Sequence, residues 1–147
     1  MFRGRYEHQI DPKGRTSLPV RFREILAARG EDRIIVTCGL DPCLVAYPVA
    51  EWQSFEERLA KMPRFEPHVV RIKRLYVSGA VEVGVDKNGR ILLPPTLREH
   101  AGLERDVVFA GMIDHIELWA RERFRAQSQT DDDERAVLAK ALSDLGL

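Results

Sequence analysis

The chain contains one segment twice. Residues 4–24 and 79–99 align at an offset of 75 positions and share nine of 21 residues. The identical pairs are Gly4/Gly79, Glu7/Glu82, Asp11/Asp86, Gly14/Gly89, Arg15/Arg90, Leu18/Leu93, Pro19/Pro94, Arg23/Arg98 and Glu24/Glu99. An internal repeat constrains the fold strongly, because both copies must form the same local structure. Two copies of this length are too few for a solenoid and predict an intramolecular pseudo-dimer.

The similarity continues after a gap of three residues in the second copy. Further pairs at an offset of 72 are Gly39/Gly111, Leu44/Ile116, Tyr47/Trp119 and Trp52/Phe124. Each half therefore predicts the same order: a strand, a glycine turn, a short helix, two apolar strands and a helix. This mixture indicates an α+β fold. We predict a first repeat over residues 1–76, a second over 77–130 and an acidic helical tail over 131–147.

Each repeat begins with a strand that runs into a glycine turn. Tyr6, His8 and Ile10 alternate with polar residues, as in a half-buried strand. The segment 11–14, Asp-Pro-Lys-Gly, has the residues that a type I turn prefers, and the segment 86–89, Asp-Lys-Asn-Gly, repeats the pattern. A type I turn followed by glycine at positive φ connects hairpin strands. We expect the two turns to present 13–15 and 88–90 at exposed tips.

Helices are predicted after the turns and again after each group of strands. Pro19 and Pro94 occupy positions where a helix can begin, so short helices are expected at about 19–28 and 94–101. Apolar residues at helical spacing predict an amphipathic helix after Pro48 and another at about 67–76. Their apolar faces, Trp52–Leu59 and Val69–Tyr76, are candidates for an outward surface that joins subunits. A final helix is expected at about 132–145, capped by Thr130 or Asp131.

Charge is distributed unevenly in a chain whose formal net charge is zero. Residues 1–30 contain seven bases and three acids, whereas residues 131–147 contain five acids and two bases. A local basic patch can bind phosphate groups without a basic protein as a whole. No apolar run approaches the ~20 residues of a membrane span, and the first residues do not form a signal peptide. We therefore expect a cytoplasmic protein.

The residues that usually carry catalysis do not form a constellation. Four histidines are scattered along the chain: His8, His68, His100 and His115. The sequence has no nucleophile elbow, phosphate-cradling loop or dinucleotide fingerprint. Cys38 and Cys43 have no further ligand at metal spacing and are typical of small buried residues. We expect no enzyme activity, no cofactor and no metal.

The repeated turn admits two interpretations. Asp11 and Asp86 begin the turns, glycine permits them, and an arginine four residues after each aspartate can pair with it, which is sufficient for a purely structural role. This pairing also makes a divalent-ion site between the two aspartates the less favoured interpretation. However, a surface ion pair contributes only about 0–1 kcal/mol. A guanidinium on a rigid turn can instead read guanine or bind phosphate through two parallel hydrogen bonds, which favours a DNA-contacting role for Arg15 and Arg90.

The motifs together resemble a known family. The opening Met-Phe-Arg-Gly-x-Tyr-x-His-x-Ile-Asp-x-Lys-Gly-Arg, a following Leu-Pro, and the later Val-Asp-x-x-Gly-Arg-Ile-Leu-Leu-Pro are similar to MraZ, over residues 1–125. This family comprises bacterial regulators encoded at the head of the division and cell-wall gene cluster. The resemblance implies an AbrB-like swapped-hairpin barrel, with two hairpins interleaved and helices flanking it.

The resemblance also implies a function. It implies a transcriptional regulator, typically a repressor of its own gene cluster, that binds short direct repeats in promoter double-stranded DNA. It further implies a ring-like, octamer-type homo-oligomer associated with the nucleoid. Carried over to this chain, the DNA-facing residues are Lys13, Gly14, Arg15, Lys87, Asn88, Gly89 and Arg90. Asn88 stands where the first copy has Lys13, which makes the second tip less basic at that position.

A second interpretation belongs to a different functional class. The same barrel could hold a protein partner, as in an antitoxin or a scaffolding protein. Antitoxins with swapped hairpins typically carry one hairpin in each chain and a disordered tail that binds the partner. This chain carries both hairpins and has a short tail that is predicted to be helical, which favours the regulator.

Overall fold

Strands and helices alternate in the same order in both repeats. The computed structural model describes residues 1–147. The first half contains β1 (Arg5–Gln9), β2 (Arg15–Ser17), α1 (Val20–Ala28), β3 (Arg33–Cys38), β4 (Leu44–Pro48), α2 (Val49–Ala60) and α3 (Pro67–Ile72). The second half contains β5 (Val81–Gly84), β6 (Arg90–Leu92), α4 (Pro95–Ala101), β7 (Asp106–Gly111), β8 (Ile116–Ala120), α5 (Arg121–Gln127) and α6 (Asp132–Asp144). The predicted α+β class is confirmed.

The strands of the two repeats pair with each other. An antiparallel six-stranded sheet has the order β1-β7-β8-β4-β3-β5, and β2 pairs with β6 in a separate two-stranded ribbon. The first strand of each repeat therefore pairs with the third strand of the other repeat, which confirms the swapped-hairpin arrangement. The end strands β1 and β5 do not pair with each other, so the structure does not show the closed barrel that the resemblance implies.

One hydrophobic core serves both repeats. It contains 19 buried residues, drawn from both halves. Phe22 of α1 is fully buried and makes edge-to-face contacts with Phe2 and Tyr6, with ring centroids 5.4 and 5.1 Å apart. Edge-to-face pairs are favourable because the positive edge of one ring meets the negative face of the other. The core thus joins the N-terminal segment and α1 to strands from the second repeat.

The helix predictions hold with small shifts. Pro19 and Pro94 have extended backbones and each precedes the first helical residue, so they are N-caps rather than first-turn residues. The helix expected at about 67–76 ends at Ile72 and continues as a π-helical turn over Lys73–Val77, in which Ser78 N–H donates to Lys73 O over 2.9 Å. Asp131 caps α6 by accepting from Glu134 N–H at 2.8 Å.

The predicted outward apolar faces of α2 and α3 are wrong in part. Trp52, Leu59 and Val69 are buried within the protomer, and α2 packs against β3 and β4. Phe55 and Tyr76 remain half-buried. By contrast, every residue of α6 is exposed. None of the helices has the length and hydropathy required to span a membrane.

The exchanged strands predict that neither half folds alone. Residues 1–76 would lose the partners of β1 and β2 and one of the two partners of β3 and of β4, and residues 77–147 would lose the corresponding contacts. We expect separately produced halves to show no cooperative thermal transition by circular dichroism, whereas mixing them should restore the transition of the intact chain. A half that melts cooperatively at monomer mass would contradict this expectation. The division into two repeats over residues 1–76 and 77–130 and a tail over 131–147 stays a prediction.

Candidate nucleic-acid interface

Each turn is closed by an aspartate at its first position. Asp11 Oδ1 accepts hydrogen bonds from the backbone N–H groups of Lys13 and Arg15, both at 2.9 Å, and Gly14 N–H donates to Asp11 O at 2.9 Å. The second turn repeats this pattern. Asp86 Oδ1 accepts from Asn88 N–H at 2.8 Å and from Arg90 N–H at 2.9 Å. The carboxylates therefore hold both turns in one defined conformation.

The arginine of each motif pairs with its aspartate. Arg15 Nε donates to Asp11 Oδ2 at 2.9 Å, while Arg90 Nε lies 3.4 Å from Asp86 Oδ2 without hydrogen-bond geometry. The ion pair expected from the sequence is confirmed, and it leaves the outer nitrogens of both guanidinium groups free of protein partners. Because 39% of the Arg15 side chain and 38% of the Arg90 side chain are exposed, both remain accessible to a ligand.

The ribbon brings the two arginines to one surface. In its register, Arg15 faces Leu92, Thr16 faces Ile91, and Ser17 faces Arg90. Thr16 and Ile91 are buried, so the alternation of a strand places Arg15 and Arg90 on the outer face. They are diagonal neighbours across the ribbon, a relation in which the two residues lie roughly 7–8 Å apart, within reach of long side chains. The sequence predicted two separate tips, whereas the structure joins them in one continuous surface.

A concave depression lies beside this ribbon. Its volume is about 720 Å³, and both repeats contribute to it. Three arginines and two acids line it: Arg15, Arg90, Arg105, Asp11 and Glu104. Only one of its ten lining residues is hydrophobic. Such a polar, open surface is unlike the apolar cavities that hold small ligands.

The expected exposure of the turns is confirmed for some residues only. Lys13, Lys87 and Asn88 are exposed, whereas Gly14 and Gly89 are buried. Both glycines have positive φ, 90° and 77°, which favours glycine because a side chain would be strained there. The expectation that these glycines face outward is therefore wrong.

The side chains that cover the two glycines come from the opposite repeat. A Cβ atom on Gly14 would lie 2.8 Å from Arg98 Nε, and one on Gly89 would lie 2.6 Å from Arg23 Cδ and closer still to its guanidinium group. Sequence interpretation assigned no site role to Arg23 or Arg98. A signal was available, since Arg23/Arg98 is one of the nine identical pairs of the repeat.

No group of three or more His, Cys, Asp or Glu side chains is arranged to hold a metal ion. Cys38 is half-buried and Cys43 is buried, and both are free thiols. Burial, with smaller effects of the Glu117 and Asp41 carboxylates, raises the pKa of the Cys43 thiol to about 12. Cys43 is therefore a protonated packing residue at neutral pH.

Comparisons with known proteins agree with the repeated architecture. A family model described as "MraZ protein, putative antitoxin-like" matches the chain twice, over residues 1–75 and 76–144. A protein of Lachnoclostridium phytofermentans named "Transcriptional regulator MraZ" is 43% identical over 147 residues, covering 100% of this chain and 99% of its own length. Proteins with the same name from Desulfitobacterium hafniense and Thermoanaerobacter sp. are 43% and 40% identical, with complete coverage of both chains.

The turn carboxylates predict a specific pH dependence of stability. The backbone N–H of Arg15 lowers the pKa of Asp11, and that of Arg90 lowers the pKa of Asp86. Their contribution to stability is therefore complete above the usual carboxyl pKa of about 4 and is lost as the pH falls through the lowered values. We expect the double variant Asp11→Asn/Asp86→Asn to lose less stability than the wild type on acidification below about pH 5.

Denaturant unfolding at several pH values between neutral and strongly acidic measures this difference. The matched control is Asp132→Asn/Asp133→Asn in the exposed helix α6, which should keep the wild-type pH profile. Parallel profiles for the wild type and the Asp11→Asn/Asp86→Asn variant would contradict a role for these two carboxylates.

Proposed function

The chain belongs to the MraZ family, and from that premise we propose that it is a DNA-binding transcriptional regulator that contacts DNA through the ribbon β2–β6. One observation carries this proposal: the two repeated arginines, Arg15 and Arg90, lie on the outer face of a single ribbon built from both repeats. The names of its relatives, which describe transcriptional regulators, support the functional class.

The ribbon has the dimensions and chemistry for reading a major groove. The major groove of B-DNA is about 12 Å wide and admits a two-stranded β-ribbon. An arginine recognises guanine by donating two hydrogen bonds to its O6 and N7 atoms. Asp11 engages Arg15 through Nε and thereby leaves the terminal nitrogens for such a contact. Because this pairing restrains the side chain before binding, less conformational entropy is lost when DNA is bound.

The exposed residues of the turns would bind the DNA backbone. Lys13 and Lys87 are compact positive charges at the two ends of the ribbon, and contacts to phosphates fix the register of a protein on the duplex. Asn88 occupies the position of Lys13 in the second turn and can donate a hydrogen bond without adding charge. Gly14 and Gly89 contribute backbone conformation rather than contacts.

The biological role that we propose follows the family. The target would be a set of short direct repeats in the promoter of the chain's own division and cell-wall gene cluster, and binding there would repress transcription. A ring-like, octamer-type homo-oligomer on the nucleoid would present several ribbons together. A net charge of zero is compatible with DNA binding, because only the ribbon surface needs to be basic.

Substitution of the ribbon arginines tests the contact to bases. We expect Arg15→Ala and Arg90→Ala each to weaken binding to the upstream DNA of the chain's own gene by about 1–3 kcal/mol, because a bidentate base contact is lost. The melting temperature should change little, since exposed ion pairs contribute little to stability. Fluorescence anisotropy at fixed salt, against a scrambled duplex of equal length, measures the affinity and the specificity ratio.

Arg64→Ala is the matched control. Arg64 is exposed between α2 and α3 and lies only over the ring of its neighbour Phe65, so its removal should leave DNA affinity unchanged. If Arg15→Ala unfolds the protein without a separate binding defect, the motif is structural. If the folded wild type does not prefer the upstream duplex, the regulator proposal fails and the antitoxin-like or scaffolding function becomes the better explanation.

The small size of one ribbon predicts an oligomer that binds through several ribbons at once. Each strand of the ribbon has three residues, whereas a specific DNA interface buries about 1,000–2,500 Å² of protein surface. A groove of about 330 Å³ near α2 and α3 is the candidate surface between protomers, and its apolar lining is Leu40, Tyr47, Trp52, Phe55, Ile72 and Tyr76. Leu40 is 81% exposed in the isolated chain.

We expect light scattering to give the mass of a homo-oligomer, and we expect Leu40→Asp to reduce that mass. Linked sites raise apparent affinity by about 10²–10⁴ when their spacing matches the array. Tight binding should therefore require a duplex with two or more correctly spaced repeats. A monomer that binds one-repeat and multi-repeat duplexes equally well would contradict this mechanism.

A further inference from the structure

Arg23 and Arg98 occupy equivalent positions beneath the two turns. Arg23 extends from α1 to Gly89 of the second repeat, and Arg98 extends from α4 to Gly14 of the first. The absence of a glycine side chain is what allows each guanidinium group to approach the backbone of the turn so closely. Both arginines are half-buried. Each turn is therefore completed by a positive charge from the other repeat.

These two guanidinium groups lack acidic partners. Neither Arg23 nor Arg98 forms an ion pair, although Glu24 and Glu99 are their neighbours in sequence. Arg98 uses one of its five N–H donors, with Nε donating to Leu93 O at 3.1 Å. Arg23 Nε is buried and has no hydrogen-bond partner. Buried polar atoms are normally hydrogen-bonded, so the unpaired Nε of this half-buried side chain requires an explanation.

We propose that Arg23 and Arg98 are phosphate-binding residues that complete the DNA site from the opposite repeat. This inference rests on the proposed DNA-binding function. Arg15 and Arg90 lie on the outer face of the ribbon, whereas Arg23 and Arg98 lie beside the turns at its two ends. With the ribbon in a major groove, those ends face the sugar–phosphate walls. Guanidinium groups bind phosphate through paired N–H donors, and the terminal nitrogens of Arg23 and Arg98 have no protein partner and are not buried.

The arrangement makes the two repeats dependent on each other for binding. Lys13 and Arg98 would hold one wall of the groove, and Arg23 with Lys87 would hold the other. Because phosphate contacts carry no sequence information, these arginines would strengthen binding to all duplexes equally. Arg15 and Arg90, in contrast, would distinguish one sequence from another. This difference separates the two kinds of arginine experimentally.

The test uses Arg23→Gln and Arg98→Gln in the full-length protein, with Arg64→Gln as the control of equal charge change. Binding is measured between low and physiological salt, on the upstream duplex and on a scrambled duplex of the same composition. Each phosphate contact contributes about one unit to the slope of log affinity against log salt. For each ribbon that engages the DNA, we expect each variant to flatten this slope by about one unit and to lower the affinity for both duplexes by the same factor, about tenfold near 0.1 M salt.

The melting temperature and a conservative variant exclude a merely structural effect. Arg23→Lys and Arg98→Lys keep the positive charge and should retain most of the salt slope, although they lose the planar group. If a Gln variant has a lower melting temperature than the wild type, the salt dependence of its DNA affinity is measured at a temperature below that melting temperature. An unchanged slope in both Gln variants overturns the inference. If Arg15→Ala still reduces specificity in that case, the proposed function stands, whereas a wild type that binds neither duplex defeats both.

Discussion

Two reciprocal hydrogen bonds between the repeats fix the geometry of the candidate site. Leu18 N–H donates to Gly89 O, and Leu93 N–H donates to Gly14 O, each at 2.9 Å. Each turn is therefore held by the segment that follows the ribbon strand of the other repeat. The same exchange pairs β1 with β7 and β5 with β3. The ribbon cannot form within one repeat, so the site exists only when both repeats are folded together.

Each residue of the repeated Asp-x-x-Gly-Arg motif meets a separate structural requirement of the turn or of the ribbon. Aspartate closes the turn through backbone N–H groups, glycine permits positive φ, and glycine also leaves room for an arginine from the other repeat. The arginine of the motif begins the ribbon strand and reaches its outer surface. These requirements are independent of the core, where Tyr6 in the first repeat corresponds to Val81 in the second. The turn can therefore stay constant while packing residues diverge.

Local features could be predicted from the sequence, while contacts between distant segments could not. The turns, the two short helices and the Asp131 cap depend on residues within a few positions, and all were anticipated closely. The swapped pairing came only from the family resemblance, because spacing alone does not say which repeat a strand joins. The burial of Trp52 and Val69, and the covering of Gly14 by Arg98, depend on tertiary packing. Periodicity identifies an apolar face but not what it contacts.

A duplicated chain differs from a symmetric dimer in what it can recognise. A dimer of identical subunits presents two equal half-sites, so its target mirrors that symmetry and tends toward a palindrome. Here the ribbon has the same approximate symmetry, but its ends have diverged, with Pro12-Lys13 at one turn and Lys87-Asn88 at the other. Unequal ends distinguish the two orientations of a duplex. Under the proposed function, this asymmetry favours a target unit that is not palindromic. Identical protomers arranged head to tail would then meet such units as direct repeats, which is the arrangement that we propose for the promoter.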